Sequence, residues 1–250
     1  MSHGPLCRAS AALAFAGALV LTAGTWLRPS GTGPYDLTAA FGTYARADRA
    51  IWVVTHLSQL VGVVAMAIAV ILLTGLISAR NSALRRTVTA LATTTMAVAA
   101  VLQAIDGVAL KAMVDRWSSA AGGRRSAAFE AAAAVRQIEI GLGSAVACFA
   151  AATIVTFGLA VLHASAAVPS RITVGAATVG VGAATAAAGT AIALAGYSSM
   201  AILLTTVAVF ATIVWAMLLG TWALRMESGP MLHAERGSSA RRRVADVSTG

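Results

Sequence analysis

An all-α bundle of six membrane-spanning helices, with both termini cytoplasmic, is the fold this sequence predicts. Three observations lead there. The 53 residues between Arg171 and Arg225 contain no charged side chain. That is too long for one crossing of a hydrocarbon core, which takes roughly 20 apolar residues, and suits two. Charge-poor runs fill most of the remaining chain as well. Of the 250 residues, 58% are hydrophobic and 11% charged, with a mean hydropathy of +0.82. A water-soluble domain carries about 25% charged residues, so there is too little polar material here to coat a soluble core. The alternating strands of about ten residues that mark a transmembrane β-barrel are absent.

Reading from charge to charge gives the spans in order. The first covers about 9–27, between Arg8 and Arg28. The second covers about 51–79, the third about 87–110 and the fourth about 131–164. The long uncharged run divides at Gly196-Tyr197-Ser198-Ser199, a turn-forming tetrapeptide, into a fifth span at about 172–195 and a sixth at about 199–224. Residues 1–226 thus form one membrane domain, and 227–250 read as a disordered basic cytoplasmic tail. A cleaved signal peptide is the competing reading of the first span; it would leave five spans without changing the side the others face.

Lys and Arg placement sets the orientation. With cytoplasmic termini the inner side carries Arg8, Arg80, Arg85, Arg86, Arg171, Arg225, Arg236 and Arg241 to Arg243. The outer side carries Arg28, Arg46, Arg49, Lys111, Arg116, Arg124, Arg125 and Arg136. The count is ten against eight. The outer loops also hold Asp36, Asp48, Asp115 and Glu130, whereas the inner loops between spans hold no acid. Trp26, Trp52 and Trp117 fall at expected outer ends and Trp222 at an inner end, where amphipathic rings prefer the interface. The net charge of +9 follows the span ends, so it reads as orientation in a membrane rather than as a nucleic-acid surface. Of the 18 basic residues only Lys111 is Lys; with the Ala and Gly excess this suggests a GC-rich bacterial coding bias, and hence a bacterial plasma membrane.

Within the fifth span Gly175, Gly182, Gly189 and Gly196 recur every seven residues, which keeps them on one stripe. Small residues let helix backbones approach in lipid, so this helix is expected to be the central, most enclosed one. Cys7 and Cys148 lie at different depths and are not expected to pair.

Counting at 1.5 Å per residue brings polar residues of three spans to one level near the outer boundary: His56 and Gln59, Gln103 and Asp106, Arg136 and Glu139. Members of each pair are three apart and share a helical face. Converging faces would make an outward-opening pocket with a His, two carboxylates, an Arg and amides. Alternatively, these charges simply reach water by snorkelling from helix ends, with Arg136 pairing Glu139 or Asp106. Asp36 could cap a short helix whose Leu37, Phe41 and Tyr44 share a face, and that helix could lie on the membrane surface or lid the pocket. Lys111 and Asp115 read as an exposed helix pair. His163 lies a membrane thickness away from His56, which excludes a haem held between them; His3 and His233 lie in the tails.

No nucleotide-binding loop, G-x-S-x-G or H-E-x-x-H sequence occurs. An enzyme is therefore not expected, and no cofactor is. The function read from the residues is an integral membrane protein binding or passing a small polar solute or cation through the polar pocket. A metal-dependent membrane enzyme using His56, Asp106 and Glu139 is one alternative. A structural subunit that contacts lipid or other membrane subunits is the other.

Overall fold

The computed structural model describes residues 4–28, 36–77, 82–164 and 169–247, with side chains described throughout these except at 169–171 and 227–247. The helices are α1 (Gly4–Leu27), α2 (Leu37–Arg46), α3 (Arg49–Ile77), α4 (Ser82–Ala104), α5 (Lys111–Ser119), α6 (Arg124–His163), α7 (Pro169–Ala195) and α8 (Ser199–Val247), and a π-helical turn (Ile105–Leu110) joins α4 to α5. Six segments are long and apolar enough to cross a membrane: Gly4–Leu27, Arg49–Ile77, Ser82–Ser119, Arg124–His163, Ile172–Ala195 and Ser199–Met226. The all-α, six-span architecture is as the sequence predicts. α8 runs on to Val247, through residues expected to form an unstructured tail. Of the residues counted for orientation, Arg80 lies outside the described residues, and the side chains of Arg171, Arg236 and Arg241 to Arg243 are not described; His3 and the side chain of His233 fall there too.

The spans close into a ring in the order α1, α3, α4, α6, α7, α8 and back to α1, each packed against the next. α1 ends and α8 begins at the same end of the bundle, which also carries α2 and α5; we call it the capped end. Large side chains such as Leu19, Val61, Val101, Leu194, Phe210 and Leu218 point outward and are exposed, whereas the interior is rich in Ala, Gly and Thr. This inversion of a soluble core suits lipid, where apolar chains outside cost nothing and close backbone approach inside supplies the packing.

The glycines locate the closest approaches. A Cβ at Gly182 would lie 2.5 Å from Val155 Cγ2, and one at Gly175 2.6 Å from Leu162 Cγ, so the α7 stripe presses on α6. A Cβ at Gly189 would lie 2.9 Å from Ala147 Cβ of α6, but Gly196 has left the stripe: at φ +55° it forms the turn into α8. α7 is not the central helix expected from its glycines, because a ring has no central member. A glycine stripe reports one close neighbour, not enclosure, and the windows of α3 and α6 are more buried than that of α7. A second close contact, Gly17 of α1 against Gly62 of α3, has the same origin. Interhelical hydrogen bonds add to these contacts: Ser144 Oγ to Gly189 O at 2.9 Å, Thr95 to Thr153 at 3.1 Å, and Trp215 Nε1 to Thr178 Oγ1 at 3.0 Å.

Two apolar clusters lie at different levels. At the capped end Phe41, Tyr44, Trp52, Leu110, Val114 and Trp117 pack together. Toward the far end Val70, Leu73, Val88, Phe157, Val161, Trp215 and Trp222 form the larger core. Trp52, Trp117 and Trp222 therefore point into the protein rather than toward headgroups, and only Trp26, 78% exposed, suits an interfacial ring. Cys7 and Cys148 are not joined.

Candidate functional site

α3 begins beyond Asp48, whose carboxylate accepts from Ile51 N at 3.0 Å. That start sets the helical phase turning Trp52, Thr55 and His56 inward, all 1% exposed or less. Facing them, the π turn carries Asp106 and Gly107. The widened turn leaves a backbone carbonyl to be satisfied, and Trp52 Nε1 donates to Asp106 O at 3.0 Å. Gly107 is what lets α3 approach, since a Cβ there would lie 2.8 Å from His56 Cβ. α6 contributes Arg136 and Glu139 from one face, as their spacing predicts.

These groups form one ionic layer. His56 Nε2 lies 3.1 Å from Asp106 Oδ2, although not aligned for a hydrogen bond. Arg28, one residue past α1, reaches Asp106 Oδ2 at 3.2 Å and Glu139 Oε1 at 3.7 Å. Arg136 donates to Glu139 Oε2. Its guanidinium sits over the Tyr44 ring at 5.7 Å and the Tyr197 ring at 4.7 Å, a cation held between aromatic faces. Tyr197 donates its hydroxyl to Glu139 Oε1 at 3.3 Å. One level nearer the far end, Gln103 Nε2 donates to Gln59 Oε1 at 3.4 Å, and Gln59 Nε2 to Gly24 O at 3.5 Å.

All six residues expected at this level therefore meet or adjoin one another, but the layer is not the open vestibule the sequence suggests. His56, Asp106, Arg136 and Glu139 are all buried, so they do not snorkel to water; Arg28, about one third exposed, is the partial exception. The lid is α2, capped by Asp36, which accepts from Ala39 N at 2.9 Å. Phe41 and Tyr44 of α2 are buried beneath it. Burying two carboxylates is costly unless opposite charges and donors surround them; Arg28 and Arg136 do so here.

Two members of the layer were not legible as such. Arg28 reads from sequence only as a charge at a span end, and Tyr197 only as part of a turn. Each lies just past a helix terminus, where residue counting no longer fixes direction. Burial works against the Arg28 charge, but the Asp106 and Glu139 carboxylates outweigh it and raise its pKa above the ordinary guanidinium value. Burial, then the Glu139 carboxylate, pushes the Tyr197 phenol above its usual range, so it stays a donor. Lys111 and Asp115 do pair, yet Lys111 is buried rather than exposed. His163 is exposed at the far end of α6, outside the layer.

Among the described residues, the buried side-chain atoms without a hydrogen-bond partner are Thr55 Oγ1, His56 Nε2, Gln103 Oε1 and Asp106 Oδ1, at the layer and the level just below it. Native interiors leave few such atoms, and here they cluster at one end of the bundle. Beneath the layer, inside the ring, lies a cavity of about 290 Å³ lined by residues of all six spanning segments. Arg28 and Tyr197 belong to its wall; the rest is mainly apolar, with hydroxyls from Thr95, Thr153, Thr185, Thr205 and Thr212. A larger groove of about 530 Å³ lies between α7 and α8 near Arg225, and Trp215 borders both spaces. The groove contains none of the ionic layer. As for a metal, among the described residues no three His, Cys, Asp or Glu side chains are grouped to hold one; Arg28 and Arg136 occupy the positions around Glu139. No family model, curated protein or solved structure matches this chain.

Proposed function

We propose that this chain is a multi-pass protein of a bacterial plasma membrane that binds a small polar solute and passes it inward through the helix ring. The capped end faces outward in this reading, which puts the termini in the cytoplasm. The observation that carries it is a cavity inside the ring whose wall includes Arg28 and Tyr197 of the layer, next to the level where four buried polar atoms of α3, α4 and the π turn lack a partner. A purely structural ion network would be expected to satisfy its own buried atoms, because each orphan costs about 1–3 kcal/mol.

The charges favour a neutral, zwitterionic or anionic solute over a cation. Asp106 and Glu139 are already matched by Arg28 and Arg136, and no carboxylate is left over to replace a cation's hydration shell. Trp215, shared by the central cavity and the far-end groove, stands where a solute would leave the ring.

Thiol accessibility tests this reading. In a variant with Cys7 and Cys148 replaced by alanine, Thr185→Cys puts one thiol on the cavity wall. Whole cells expressing it are expected to react with a membrane-impermeant methanethiosulfonate from the outside, and faster when Phe41→Ala loosens α2. A thiol that stays unreactive from both sides would remove the proposal.

A further inference from the structure

We infer that the guest of the central cavity is a small amphiphile with one acidic group, its acid on Arg28 and its apolar body among the side chains below. This inference rests on the solute-binding reading and names the ligand class for that same site.

The cavity has two unlike ends. At the layer the wall includes Arg28 and Tyr197; the guanidinium has donors beyond the one given to Asp106, whereas the Tyr197 hydrogen is already given to Glu139. The rest of the wall is mainly apolar, with Met66, Val70, Ile154, Ala188, Ile192 and Trp215. The hydroxyls of Thr95, Thr153, Thr185, Thr205 and Thr212 each donate to the carbonyl four residues earlier, so no free donor there is left for a fully polar solute such as a sugar. A ligand matching this wall is polar at one end only. At about 290 Å³ the space lies at the lower limit of small-molecule sites. One short chain or ring system fits, and a two-chain phospholipid does not.

The charge of the wall selects an acid for the polar end. Arg28 is the one charged residue lining the cavity, and neither Asp106 nor Glu139 lies in that lining. Arg28 gives one N–H to Asp106 and stands 3.7 Å from Glu139; a guanidinium carries five donors, so donors remain for an oxyanion.

Fluorescence quenching in nanodiscs tests the assignment, with 11-bromoundecanoate and 11-bromoundecanol as probes of equal tail and different head. Bromine quenches a tryptophan it touches, and Trp215 lies on the wall. Saturable quenching by the acid is expected, lost in Trp215→Phe, with apparent affinity at least tenfold above that of the alcohol. Arg28→Gln should abolish the acid's preference and Arg28→Lys should restore most of it, which separates lost charge from lost folding. Arg225→Gln, in the other groove, should change nothing. Equal affinity for acid and alcohol, or indifference to Arg28→Gln, overturns the inference. If Thr185→Cys nevertheless reacts with the thiol reagent, only the ligand class is wrong; if it reacts from neither side, the solute site itself is lost.

Discussion

At the scale of single residues, the layer holds because each buried charge has an opposite within reach. Removing one member of a buried pair strands the other, at a cost of about 3–5 kcal/mol, whereas replacing both by apolar groups is often nearly neutral. Glu139→Gln is therefore expected to lower resistance to unfolding in SDS titration by about 3 kcal/mol. Arg136→Met combined with Glu139→Met should recover most of it, because Arg136 and Glu139 face each other. Gly107→Ala should cost about 1–3 kcal/mol, measured the same way, since its Cβ would sit 2.8 Å from His56 Cβ. The level of His56, Asp106 and Glu139 was legible in the sequence, because a helix rises by a fixed amount per residue and its bounds show as charges. Their burial was not, since a polar residue near a helix end looks alike whether it faces water or a lid. Gly107 carried no signal either: its need arises from a residue of another helix, 51 positions earlier.

At the scale of helices, glycine spacing was readable but its meaning was local. Gly175, Gly182 and Gly189 do mark the α6 contact; they say nothing of how many other helices surround α7. Gly180 and Gly182 give a direct contrast two positions apart. A Cβ at Gly180 meets nothing within 4 Å, whereas one at Gly182 meets both Val155 Cγ2 and the Val155 backbone nitrogen. Gly180→Ala is expected to be neutral or to stabilise by up to about 1 kcal/mol, since alanine is the better helix former. Gly182→Ala should destabilise by about 1–3 kcal/mol through forced separation of the helices. Unfolding midpoints of both variants in one detergent check this pair. α2 illustrates the opposite case: its Asp36 cap and its Phe41 and Tyr44 face were legible, because a cap and a stripe are both local signals, whereas the sequence leaves open whether that face packs against the membrane surface or the pocket.

For the molecule as a whole, the charge-free runs fixed the number of spans, since nothing but a hydrocarbon environment tolerates so few polar groups. Their arrangement was not in those runs. Apolar surfaces are interchangeable in lipid, so the ring order follows from glycine contacts, interhelical hydrogen bonds and the ionic layer. That layer ties the end of α1, the start of α3, the π turn and α6 to one point, with the α7–α8 turn alongside. Arg28 and Asp106 are 78 positions apart in sequence, and their contact exists only if the ring is closed as described. A double-mutant cycle across this pair is the most direct measurement: Arg28→Gln, Asp106→Asn and the double variant, each unfolded from the same bilayer or detergent. Coupling of about 0.5–3 kcal/mol, the range for residues in contact, is the expected result. Single effects that add to within about 0.3–0.5 kcal/mol, as for distant independent sites, would contradict the convergence of these helices on one buried layer.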